Sequence, residues 1–351
     1  MQMKYKYVVV GAGFSGLVVA ERIANELNEK VLVIEKNNHI GGTTYDCIDE
    51  YGVLIGKYGP HTFHTDDEEI KNYILKFAKW NYYTHKALSF VDGKFVHFPI
   101  CAKTLFDLYG VNVRDEEAEQ CIAEHEEDIV NKFFRYFTFK QWGCNREELD
   151  QKVLARIPFR NNDDDRYFTD SFQGNPIGGY TKMFEKMIEN KNIKVMLNTD
   201  YKEIIDKIDY DLMIYTGPID YYFDYKLGKL LYRSVQFIFE HYDYDSYQPV
   251  ASTRYPGKEY DFTRITEFKK MTGQKISGTT ILKEIPCFEG EPYYPYPTPK
   301  WKELAVKYRD LAKEEPKTIF LGRLGEYTYY DMDDVVRRAL DVFEEVKERK
   351  I

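Results

Sequence analysis

Four consecutive apolar residues, Tyr7-Val8-Val9-Val10, open the pattern and predict a buried strand. Gly11-Ala12-Gly13-Phe14-Ser15-Gly16 follows, and then Leu17, Val18, Ala20, Ile23, Ala24 and Leu27 recur at helical spacing. A second β-branched run, Val31-Leu32-Val33-Ile34, ends at Glu35. Residues 66–78 predict a helix with an acidic first turn and apolar Ile70, Tyr73, Ile74 and Phe77 on one side. Residues 81–100 alternate as a hairpin about Asp92-Gly93, and residues 103–150 are mainly helical and charged, with a break near Tyr109-Gly110.

Residues 150–175 carry little apolar periodicity and include Asn161-Asn162-Asp163-Asp164-Asp165, which predicts an unpacked, mobile loop over a site. A helix through Met183, Met187 and Ile188 and strands at 194–197 and 212–215 then return to the first pattern. Ser234–Phe239 and Thr263–Phe268 alternate as antiparallel strands. The C-terminal stretch predicts a strand at 318–321, a turn at Gly322-Arg323 and a closing helix over 332–349. The fold class expected is therefore α/β: a discontinuous Rossmann-like FAD-binding domain (1–80, 176–220 and 315–351), a helical insertion domain (81–150), and a mobile loop with an antiparallel β-sheet substrate domain (151–175 and 221–314).

The first forty residues carry the clearest chemistry. Strand, glycine turn, helix, strand and acid in that order form a dinucleotide-binding fingerprint. Gly11 serves the tight turn, Gly13 the close approach of a pyrophosphate, and Gly16 the packing of helix on strand. Unpaired N–H groups at the helix start favour the anion, and Glu35 stands where a carboxylate bonds a ribose hydroxyl. Gly41-Gly42-Thr43 lies six residues beyond Glu35. This extension resembles the flavoprotein superfamily of glutathione reductase and amine oxidases, which implies FAD rather than NAD.

Composition narrows the partners. With 49 Lys and Arg against 58 Asp and Glu, the formal net charge of −9 argues against general nucleic-acid binding. Thirty-one tyrosines suit a cleft that stacks on rings and offers hydroxyls to phosphate; a compositional bias of the genome explains them equally well. The cysteines Cys47, Cys101, Cys121, Cys144 and Cys287 are scattered without ligand spacing and read as reduced thiols of a cytoplasmic protein. No signal peptide or membrane span is expected. His61 and His64 are joined by no further ligand residue at useful spacing, so no metal site is expected.

Several stretches together resemble the UDP-galactopyranose mutase family: 59–65 (GPHTFHT), 140–143 (KQWG), 156–160 (RIPFR), Tyr167-Phe168, 172–180 (FQGNPIGGY), 215–220 (YTGPID), 291–295 (EPYYP) and 322–332 (GRLGEYTYYDM). The resemblance implies an isomerase that interconverts pyranose and furanose forms of a nucleotide-diphosphate sugar, by default UDP-galactose. It implies FAD, active as the reduced FADH−, whose N5 attacks the anomeric carbon, with a donor such as NAD(P)H for reduction and a homodimeric assembly. By the same resemblance, Gly11, Gly13, Phe14, Ser15, Gly16, Glu35, Lys36, Gly41, Gly42, Thr43, Tyr58, His61, Arg323, Tyr330, Asp331 and Met332 would hold the cofactor. Arg156 and Arg264 fall on the two catalytic arginines, and His61 and His64 on histidines beside the isoalloxazine. Tyr167, Tyr294 and Tyr329 would hold the diphosphate, Arg323 would also contact substrate, Trp142 would border the nucleotide, and Glu284 would lie near the sugar. Paired guanidinium forks suit a diphosphate leaving group because they neutralise it with planar hydrogen bonds.

The departures from that pattern gather around the substrate. Phe137 replaces a uridine-stacking Tyr, His85 a substrate-side Asn, and Arg254 an Asn expected near the flavin and sugar. Phe268 and Gly325 also differ from the family residues. A mutase for UDP-N-acetylgalactosamine, dTDP-fucose or a GDP-sugar is the alternative, followed by a flavin oxidase of the amine-oxidase superfamily.

Overall fold

The computed structural model describes residues 3–149 and 159–349. Its centre is a five-stranded parallel sheet ordered Ile193–Met196, Val31–Ile34, Tyr7–Val10, Leu212–Tyr215 and Thr318–Phe320. The near-continuous apolar runs of the central strands follow from burial on both faces. The helix Phe14–Arg22, continued by a wider turn through Leu27, and the closing helix Met332–Glu348 share one apolar core on that sheet. That core includes Leu17, Val18, Ile23, Val336, Val342 and Phe343.

Two glycines set how closely the first helix approaches its strand. Gly11 has φ +102°, and a Cβ there would stand 2.0 Å from Thr216 Oγ1. A Cβ on Gly16 would stand 2.1 Å from the Gly11 carbonyl oxygen, which is backbone and cannot rotate away.

A seven-stranded sheet forms the second layer. Its order is Tyr294–Pro295, Tyr232–Tyr242, Thr279–Cys287, Arg264–Glu267, Ser252–Arg254, Ala87–Val91 and Lys94–Phe98. The expected antiparallel sheet is in fact mixed, because Ser252–Arg254 runs parallel to Ala87–Val91. The hairpin at 81–100 forms about Asp92-Gly93, both with positive φ, and its two strands complete this sheet rather than joining the helices that follow. Helices Ala102–Tyr109, Asp115–Glu124 and Tyr136–Trp142 pack around it, the first ending at the expected Gly110. Beyond the hairpin the chain adds a helix the periodicity did not single out, Pro299–Lys313.

The Asn161–Asp165 run also departs from expectation. Its backbone carbonyls accept from Ala102 and Asp115, and Asp165 is buried between Lys86 at 2.9 Å and Lys103 at 3.1 Å. Arg160 and Arg166 flank Asp164, and Arg166 holds its carboxyl down at about 2. Opposite charges from several elements hold what composition alone reads as a free loop. The preceding part of the expected loop, 150–158, lies outside the described residues.

Replacing Gly16 by Ala is expected to cost about 3 kcal/mol or more, because the added methyl overlaps fixed backbone. The urea midpoint of the variant against the parent, with bound dinucleotide measured on the same samples, checks this. An unchanged midpoint would show that helix and strand can separate at no cost.

Candidate active site

Two cavities meet between the sheets. The first, of about 520 Å³, runs over the C-terminal ends of the parallel strands. Gly11, Gly13, Phe14, Ser15, Glu35, Lys36, Gly41, Gly42, Thr43, Tyr58, His61, Arg323, Asp331 and Met332 line it. The Glu35 carboxylate is fixed by the Ala12 and Asn37 N–H groups, each at 2.8 Å. The two glycine turns touch: a Cβ on Gly42 would lie 3.0 Å from the Gly13 Cα. Bare backbone, a helix start and an oriented acid are what a dinucleotide pyrophosphate and ribose require. The closing helix also starts at this wall, with Asp331 as its N-cap.

Gly16 and Tyr330 do not line this cavity. Gly16 lies behind it in helix packing, and Tyr330 contributes a backbone carbonyl that accepts from Arg323 at 2.6 Å. Sequence reasoning missed Tyr201, Tyr221, Tyr225 and Glu291, which close its far end and rim. Glu291 pairs with Lys36 at 2.5 Å across 255 residues of chain, a contact with no local signal.

The second cavity, of about 670 Å³, is floored by the seven-stranded sheet. Phe137, Trp142, Tyr167, Arg254, Arg264, Glu284, Tyr294 and Tyr329 line it, as does Asp331, which it shares with the first. Tyr294 and Tyr329 stack at 5.9 Å with Arg323 across both rings, so this trio forms the partition between the cavities. Register then organises the floor. Arg254 lies opposite Arg264, and Arg264 opposite Glu284, so all three project from one row on one face. Arg264 grips Glu284 through Nε and Nη2, the latter bond 2.7 Å long. Burial pulls the Arg264 guanidinium down, but Glu284 more than offsets it, so the net shift is upward and its charge is locked.

The same row fixes where Arg254 stands relative to Glu284. Glu284 stands at the cofactor side, with a Cβ on Gly59 falling 3.5 Å from its carboxylate, whereas Arg254 lies two strands away. There its guanidinium carbon sits 3.9 Å from the Phe98 ring centre and 3.8 Å from that of Phe137. It is 4% exposed, and its Nη1 has no hydrogen-bond partner among the described residues. Burial pushes it down to about 10, so it remains charged at neutral pH.

The helix Tyr136–Trp142 supplies the wall opposite. The Lys140 ammonium fastens it to the adjoining loop through the carbonyls of Tyr255, Gly257, Tyr260 and Phe262, at 2.5 to 3.1 Å. Arg233 holds the end of this helix through the Lys140 and Gln141 carbonyls at 2.7 and 2.8 Å. Basic residues at the mouth, Arg146, Lys302 and Arg309, were not foreseen. Lys302, Ala305 and Arg309 share one face of Pro299–Lys313 at i, i+3 and i+7, a spacing that the sequence does contain.

The histidines separate. His61 lines the first cavity, with Nδ1 3.1 Å from the Gly59 carbonyl; burial and the charges of Arg323 and Arg264 push it down to about 4. His64 stacks on Phe168 at 3.7 Å and lies 3.2 Å from Asp170, away from both cavity walls. His85 is buried behind Tyr167, 3.2 Å from the Tyr83 hydroxyl, and is not a wall residue either; burial and Arg264 push it down to about 3. Arg156 lies outside the described residues.

These imidazoles make stability acid-sensitive. Each takes up a proton near pH 6.5 when unfolded, but when folded only near 4 for His61 and 3 for His85. Their contribution is therefore complete above pH 6.5 and declines as pH falls from 6.5 through 4, His61 alone accounting for about 3 kcal/mol. Urea midpoints at pH 7 and 4.5 are expected to differ less in His61→Gln than in the parent. Equal differences in the two proteins would refute the assignment.

Comparison with known proteins agrees with this geometry. A family model described as UDP-galactopyranose mutase matches residues 132–329, and one described as an NAD(P)-binding Rossmann-like domain matches residues 9–77. The probable UDP-galactopyranose mutase of Klebsiella pneumoniae is 34% identical over 363 residues, covering 96% of this chain and 94% of its own. A dTDP-fucopyranose mutase of Escherichia coli is 33% identical over 365 residues, covering 96% of this chain and 97% of its own. In fold, the crystal structure of a reduced UDP-galactopyranose mutase matches 98% of this chain and 94% of its own with a TM-score of 0.77 at 16% identity. No described helix is long and apolar enough to cross a membrane. The chain thus belongs to the UDP-galactopyranose mutase family and is a nucleotide-sugar pyranose–furanose mutase.

Proposed function

We propose that the chain converts UDP-galactopyranose to UDP-galactofuranose, with FAD in the first cavity and the nucleotide sugar in the second. The observation that carries this reading is the partition formed by Arg323, Tyr294 and Tyr329. It separates a dinucleotide cradle from a basic, aromatic cavity while leaving them in contact at Asp331. Reduced flavin, when bound, supplies a nucleophile for the anomeric carbon without net redox change.

The protein's part is to place the sugar against that cavity and to hold the diphosphate as it leaves. Arg264 suits the second task because Glu284 fixes its plane and leaves Nη1 free of that grip. Tyr167, Tyr294 and Tyr329 bring hydroxyl-bearing rings to the same cavity, and the family motif alone assigns Arg156 to the same task. His61, neutral at physiological pH, borders the cofactor without adding a charge there. A donor such as NAD(P)H reduces the flavin, and the active form is a cytoplasmic homodimer. A second reading, conversion of dTDP-fucopyranose, draws on the E. coli relative, whose identity is within one percentage point of that of the K. pneumoniae relative.

Anaerobic, dithionite-reduced protein should isomerise UDP-galactopyranose faster than dTDP- or GDP-hexopyranoses, with no reductant consumed per turnover. Faster turnover of dTDP-fucopyranose would replace the first substrate with the second. Oxidised flavin and peroxide accumulating with product would overturn the mutase chemistry. Arg264→Lys keeps the charge but loses the fork, and its kcat is expected to fall about 100-fold. Arg264→Ala would also leave Glu284 buried without its partner. An unchanged kcat in Arg264→Lys would remove Arg264 from the reaction.

A further inference from the structure

Among the described residues, Arg254 is a buried cation of the cavity floor that Glu284 does not serve. Its neighbour in the row, Arg264, has two donors committed to Glu284, while no carboxylate lies within ion-pair reach of Arg254 among the described residues. A buried guanidinium without a counter-ion survives here because aromatic faces cover it on two sides. Those rings also lock its plane. Its remaining donors are thus held in one fixed plane, so which acceptor they meet is decided by where along the cavity they stand.

The row supplies a direction. With the sugar drawn towards the cofactor side, Glu284, Arg264 and Arg254 mark successive levels along an extended nucleotide sugar. Adjacent strands are about 4.8 Å apart, so Arg254 stands about 10 Å from Glu284, past the diphosphate and at the nucleoside. Phe134 and Phe137 line the cavity there, giving flat apolar walls for a flat ring. Resting on the nucleotide-sugar reading above, we propose that Arg254 reads the nucleobase by donating to the exocyclic oxygen at position 4 of a pyrimidine or position 6 of a purine. The base it selects is uracil, thymine or guanine, and not cytosine or adenine, which place an amino donor at the corresponding position. Guanine offers two adjacent acceptors, O6 and N7, to the fork; uracil and thymine offer O4.

The test uses the flavin-loaded protein and two matched pairs of ligands, UDP with CDP and GDP with ADP, measured by calorimetric titration without turnover. The parent is expected to bind the keto member of each pair about tenfold or more tightly. Arg254→Met should lose that preference by weakening UDP and GDP alone, and Arg254→Gln, which keeps one donor, should recover part of it. Flavin absorbance and melting midpoint check that each variant is folded. Equal binding of UDP and CDP by the parent would overturn the assignment even if neither variant folds. Equal weakening of all four nucleotides in Arg254→Met would overturn it in favour of a phosphate contact. Selective binding by a protein that isomerises no sugar would uphold the assignment and fault the mutase reading.

Discussion

The cavity floor depends on a buried carboxylate gripped by a guanidinium that is itself 32% exposed to the cavity. Removing Arg264 would leave the Glu284 carboxylate uncompensated where solvation is poor, and removing Glu284 would free the Arg264 fork from its fixed plane. Their adjacency is a product of strand pairing, with Arg264 of one strand lying across from Glu284 of the next. A one-residue slip would turn both side chains to the opposite face and empty the floor of its polar row. Sheet register is therefore a functional requirement as much as a structural one. Apolar clusters on both faces hold that register, Ile265 and Ile281 on the face away from the row and Leu282 with Phe268 on its own face.

The two cavities are built on opposite principles. The first is shaped by absence of side chains, with glycines bringing backbone N–H groups to the surface and one acid pinned by two of them. The second is crowded with long, polar and aromatic side chains, whose positions come from the sheet, a helical wall and the segment around Tyr294 and Tyr329. Backbone recognition suits a resident cofactor, whose pyrophosphate is constant. Side-chain recognition suits a substrate site that differs between relatives, and two relatives of nearly equal identity here carry names with different sugars and different nucleotides.

This contrast explains what the sequence discloses. The dinucleotide cradle is legible because Gly11 to Gly16, the following helix and Glu35 lie within one stretch, and their spacing is the structure. The closing helix is legible for the same reason, through its periodicity. Arg264 and Glu284 were identified by motif likeness, but their bond lies 20 residues apart across a ladder that no local pattern encodes. Arg254 was singled out by motif likeness too, and there register, not motif, decides its neighbours. The Asn161–Asp165 run looked free because charge reads as solvation until Lys86 and Lys103 are seen beside it. The helix Pro299–Lys313 did carry a readable period, hidden among prolines and tyrosines that suggested irregular chain.

The four carbonyls gathered on Lys140 bear on how a ligand comes and goes. An ammonium has three hydrogens, so these oxygens share them, and pulling the helix away would strand acceptors inside the protein. Phe137 and Trp142 ride on that helix, and the loop it grips continues directly from Arg254. The wall and the floor at this end are consequently a single stiff piece, an anvil rather than a jaw. Traffic through the cavity must be governed from its other borders, and the fastened end can keep its shape through every cycle of binding and release.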